Sequence, residues 1–109
     1  MTIALLSLEM YLPMSQSLKD KRMVVRRLKD RLKAFNVSVA EVAHQDVWQR
    51  AGLGVVTVAS ADEVAEQTLA TVLKEVERLE PGLVTRSQVV WKYSTSGAVM
   101  AELKMTFCM

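Results

Sequence analysis

One cysteine, one histidine, two prolines and four glycines are spread over 109 residues, and aromatic side chains make up only 6% of the chain. The lone Cys108 excludes an internal disulfide and leads to the expectation of a reducing, cytoplasmic setting. Neither His44 nor Cys108 has a second metal-type ligand at a workable spacing, so zinc sites and Cys-His nucleophilic chemistry find no footing. Gly52-Leu53-Gly54 is a GxG without the third glycine or the following helix of a phosphate loop, and no single strand carries paired carboxylates. Neither a catalytic residue nor a cofactor is therefore expected. No unbroken apolar run approaches the roughly 20 residues of a bilayer span. Met1 to Met10 has no basic segment ahead of its apolar residues, so a soluble, untargeted chain is expected.

What the chain does have is apolar content and pattern. Half of its residues are hydrophobic, enough for one domain that buries about two-thirds of its unfolded surface. Residues 3–12 alternate, with Ala4, Leu6, Leu8 and Met10 on one side and Leu5, Ser7, Glu9 and Tyr11 on the other, as a strand does. Pro13 ends that strand. Ser17 is placed to cap a helix whose apolar face is Leu18, Val25, Leu28, Leu32 and Phe35, and Asn36 is suited to terminate it. Residues 37–43 and 53–59 read as the second and third strands. Ser60 and Glu63 form a capping box ahead of a second helix with Ala65, Leu69, Val72, Val76 and Leu79 on its apolar face. Pro81-Gly82 stops it, and residues 83–93 make strand four. The order is βαββαβ, an α+β, ferredoxin-like sandwich with two helices on one face of an antiparallel sheet ordered 4-1-3-2. Residues 1–93 would form this domain and residues 94–109 an extension. Within the extension, Ala98 to Phe107 has enough apolar residues for a fifth strand along an edge, and Met100, Met105 and Met109 suit an adaptable contact.

Charge is unevenly distributed. Residues 17–36 hold eight cations against Asp20 and Asp30, a local +6, whereas residues 62–80 hold six acids against Lys74 and Arg78, a local −4. Lys19, Arg22, Arg26, Lys29 and Lys33 recur at helical spacing and fall within an arc of about 80° beside the apolar face. Like charges so placed repel by a few tenths of a kcal/mol per pair, a cost that a polyanionic partner would explain. A solvated face is the plainer reading, and the two stay open. Lys21 falls inside the apolar arc and is expected to snorkel, while Arg27 and Arg31 lie on the other flank within reach of Asp20 or Asp30. With right-handed crossovers, the basic stripe should flank strand two and Asp62, Glu66, Glu77 and Glu80 should flank strand four. Head-to-tail self-association through opposite charges follows as an alternative.

Ser17-Leu18-Lys19-Asp20-Lys21-Arg22, then Asn36 to Val42, then Gln45-Asp46-Val47-Trp48-Gln49-Arg50-Ala51-Gly52-Leu53-Gly54, resembles the YlxP-like family of small bacterial proteins across residues 1–93. The resemblance implies a ferredoxin-like domain without an assigned reaction. It also implies a setting near translation, because such genes often neighbour those for initiation factor two and ribosome-binding factor A. Ala43-His44 stands where a glycine or an acidic residue is expected before Gln45.

The family segment Gln45, Asp46, Trp48, Gln49 and Arg50 is the second candidate site. Its indole can stack on a base while the amide and guanidinium donate hydrogen bonds. In the alternative, the polar groups satisfy one another and the indole packs on the core. The open sheet face is not a standard RNA-recognition sheet, since Tyr11 is the one aromatic on the central strands, with Leu53, Val55 and Thr57 expected opposite it. Two functions are expected. One is a non-catalytic binding protein that meets ribosomal or other structured RNA through the stripe, in translation or ribosome assembly. The other is a homodimeric module whose stripe meets an acidic protein surface.

Overall fold

The computed structural model describes residues 1–95 and 102–105. Strand β1 (Thr2–Tyr11) is followed by helix α1 (Leu18–Leu32), the pair β2 (Ser38–Ala43) and β3 (Arg50–Ala59), helix α2 (Asp62–Leu79), β4 (Val84–Ser94) and β5 (Glu102–Met105). The sheet is antiparallel, in the order β2-β3-β1-β4-β5, so the four-strand arrangement and the ferredoxin-like class are as the sequence predicts. The extension adds β5 beside β4, with Met105 in register with Trp91 and Glu102 with Ser94. The rest of the segment predicted as a fifth strand, and Cys108, lie outside the described residues.

Alternation in β1 decides which side of the sheet is covered. Thr2, Ala4, Leu6, Leu8 and Met10 are buried beneath the helices, and the residues between them face the other way. Directly opposed residues of an antiparallel pair share a face. Leu6 opposes Val55 and Leu8 opposes Leu53, so Leu53, Val55 and Thr57 point into the core and not onto the open face. The open face instead carries Leu5, Val56, Val58 and, across a bulge between Leu5 and Leu6, Trp91 and Tyr93. These two rings stack with centroids 6.4 Å apart.

Both helices lay apolar stripes on the core: Val25, Leu28 and Leu32 from α1, Ala65, Leu69, Val72 and Val76 from α2. Ser17 caps α1 as expected, its Oγ accepting from the Asp20 N–H at 3.1 Å. The helix ends at Leu32, ahead of the predicted stop at Asn36. Asn36 works on β3 instead: its side-chain amide donates to Val58 O, and its own carbonyl accepts from the Thr57 hydroxyl. The Ser60–Glu63 capping box does not form, because α2 starts one residue later with Ala61 at the N-cap. Asp62, at the first helical position, replaces that anchor by accepting hydrogen bonds from Thr2 and Ser94. Strand β3 begins at Arg50, three residues before its apolar run, because Arg50 to Gly52 pair with Glu9 to Tyr11 of β1. That ladder is a long-range pairing that local pattern does not carry.

Two glycines of β3 separate crowding from tolerance. A Cβ on Gly52 would lie 2.7 Å from Ala43 Cβ, whereas on Gly54 its nearest neighbour would be Val42 Cγ1 at 3.4 Å. Gly52→Ala is expected to lower stability by about 1–3 kcal/mol in urea denaturation through this overpacking, and Gly54→Ala by clearly less. Acid provides a second check. The Ser94 and Thr2 hydroxyls, with Lys92 adding charge, hold the Asp62 carboxyl down from 3.8 to about 2. A depressed carboxylate stabilises the fold fully above its unfolded pKa, and that contribution is lost as pH falls through the folded one. The unfolding midpoints of wild type and Asp62→Asn should therefore differ at pH 5 and converge between pH 4 and pH 2.

Candidate nucleic-acid interface

The first turn of α1 overhangs the end of β2, and there the structure corrects the expectation for Lys21. Its side chain does not snorkel; it is 1% exposed. The ammonium donates to His44 O at 2.7 Å and Gln45 O at 3.2 Å and lies 2.8 Å from Glu41 Oε2. Two carbonyls thus satisfy two of its donors and Glu41 its charge, although the buried Glu41 Oε2 makes no hydrogen bond of its own. The bonds tie α1 to the β2–β3 connection and leave Glu41, the acid nearest the stripe on β2, already neutralised.

Beside this anchor Arg22, Arg26, Lys29 and Lys33 line a groove of about 470 Å³ together with Val25, Asp30 and Glu41. The stripe thus flanks β2, on the side expected for it. Lys33 pairs with Asp30 at 3.3 Å, while Lys19, Arg22, Arg26 and Lys29 make no ion pair among the described residues. The opposite flank of α1 behaves differently from expectation. Arg27 pairs with Glu80; the Arg78 hydrogen bond and then its charge hold the Glu75 carboxyl below the usual range, with Arg31 the smallest contributor, and neither Arg27 nor Arg31 turns to Asp20 or Asp30. Glu80 therefore faces α1 and not β4. Asp62 and Glu66 do flank β4, where both meet Lys92.

The Trp48 segment is held from below. His44 adopts a left-handed conformation, φ 62°, a region that favours glycine, and its ring nitrogen lies 3.0 Å from Glu9 Oε2. Val47 N–H donates to His44 O, Leu12 N–H to Gln49 O, and the Gln49 amide to Ser15 O. The alternative in which the polar groups satisfy one another around a packed indole is not what forms. Gln45 and Asp46 are exposed, Arg50 stands opposite Tyr11 at the end of the β1–β3 ladder, and Trp48 is 49% exposed. Lys21 is the residue of the candidate site that sequence reasoning set aside; the signal was a lysine at a core position of the helix.

The model of a family described as "Protein of unknown function (DUF503)" matches residues 3–89. The chain belongs to this DUF503 family. It is 40% identical over 62 residues to "Uncharacterized protein YlxP" of Bacillus subtilis (strain 168), a match covering 56% of this chain and 67% of that protein. The match agrees with the YlxP-like resemblance and attaches no reaction to it. In this DUF503 chain no helix among the described residues is long and apolar enough to cross a membrane.

Removing the Lys21 ammonium strands Glu41 and two carbonyls. Lys21→Met should cost about 3 kcal/mol in chemical denaturation, the low end for breaking a buried pair because Glu41 keeps some contact with water. It should also raise amide exchange across residues 44–49.

Proposed function

We propose that this protein is a non-catalytic RNA-binding protein of the cytoplasm, acting in translation or ribosome assembly, and that α1 is its RNA-binding face. One observation carries the reading: Arg22, Arg26 and Lys29 lie without an ion-pair partner among the described residues, along a groove whose two acids are each paired with a lysine, and Lys19 continues the same helix face unpaired. Lys19 to Lys33 spans about 21 Å of helix, enough to follow several phosphates. Guanidinium groups of Arg22 and Arg26 suit bidentate phosphate contacts. The YlxP-like resemblance supplies the setting near translation. His44, the one histidine, is engaged with Glu9, and no group in the groove is placed as a nucleophile beside a base.

A second reading, a homodimeric protein-interaction module, is favoured by the open sheet face, where Val42 is 59% and Val58 51% exposed near Leu5 and Val56. Such apolar surface suits a second copy. Binding of ribosomal subunits and of a structured RNA across a salt series separates the two. Log affinity should fall with log salt by about 0.7–0.9 per phosphate contact, and the triple variant Arg22→Glu, Arg26→Glu, Lys29→Glu should bind weakly with a slope smaller by about 2–3. Equal binding by the variant, or none by wild type, would discard the RNA reading.

A further inference from the structure

Two features that the sequence presents as separate candidates are tied together in the structure. Lys21 stands between Lys19 and Arg22, and the carbonyls it holds belong to His44 and Gln45. The Trp48 turn is thereby fastened beneath the N-terminal end of the basic stripe. Four hydrogen bonds fix its backbone, two from Lys21 and one each from the Val47 and Leu12 N–H groups, and a fifth ties the Gln49 side-chain amide to Ser15 O. A turn so braced holds its indole half in water, although burying a large apolar side chain would gain about 1.5–3 kcal/mol. The exposed Asp46 next to it repels phosphate, so a neutral base is better received there than backbone.

Resting on the RNA reading of the stripe, we infer that the RNA it takes is an unpaired stretch, its phosphates running along Arg22, Arg26 and Lys29 and one base stacked on the Trp48 indole. A duplex keeps its bases stacked inside and offers nothing to that ring; a single strand or loop offers a π-face at every nucleotide. The rigid platform also means that little conformational freedom is lost on stacking.

The test uses the full chain carrying Trp91→Phe, so that Trp48 is its one indole, with a short single-stranded oligoribonucleotide and a blunt duplex of the same sequence. Expected are quenching of Trp48 fluorescence by the single strand and tighter binding of it than of the duplex. Trp48→Ala should weaken the single strand roughly 5- to 150-fold, leave the duplex unchanged, and be largely rescued by Trp48→Phe. Because the indole is exposed, the Trp48→Ala protein should keep its urea midpoint. If it binds the single strand as the parent does, or if the indole is not quenched, the stacking inference is overturned. The stripe reading then still stands, provided the Arg22, Arg26, Lys29 variant loses binding. If the parent binds neither RNA, both readings fall together.

Discussion

A single buried ammonium organises the candidate surface. Lys21 reaches from the first turn of α1 to Glu41 on β2 and to two carbonyls of the β2–β3 connection. Desolvating that charge is expensive, and the two carbonyl hydrogen bonds with the Glu41 ion pair offset it. Two of the acceptors are carbonyls of the connection where it turns at His44, a non-glycine residue in left-handed backbone. The same contact sets the position of the stripe over the β2 edge and cancels the acid beside it.

Topology keeps the opposed charges of the chain apart. The two helices lie side by side on one sheet face, so each has one flank toward the other and one toward an edge. The inward flank of α1 is neutralised through Arg27 and Glu80, and the outward flank of α2 through Lys92. The outward flank of α1 keeps Lys19, Arg22, Arg26 and Lys29 without an ion pair among the described residues. Self-repulsion along such a flank is tolerated because water screens it, and a polyanion would relieve it.

The open side of the sheet has a different character. Leu5, Val56, Trp91 and Tyr93 make its middle apolar, and the stacked rings belong to β4, outside the central pair β1 and β3. The central pair contributes Tyr11 as its one aromatic, fewer than an RNA-recognition sheet uses to stack bases.

Local pattern was enough for the order of elements, the helix faces and the Ser17 cap, because side-chain periodicity and capping act within a few residues. It was enough for the basic stripe, which is a property of one helix. It failed where partners lie far apart in the chain. The early start of β3, the inward turn of Val55 and the bulge that puts Trp91 on the open face all depend on register with β1. A one-residue shift reverses faces, and no local signal sets it. Likewise Lys21 looks like a snorkelling cation until residues 41, 44 and 45 are folded beneath it, and Trp48 looks like core until that turn is braced from below. Alone, the sequence determined which elements form and which sides of the helices carry charge. Tertiary structure decided which charges are cancelled and which ring stays in water, since both are settled by contacts between residues that only folding brings together.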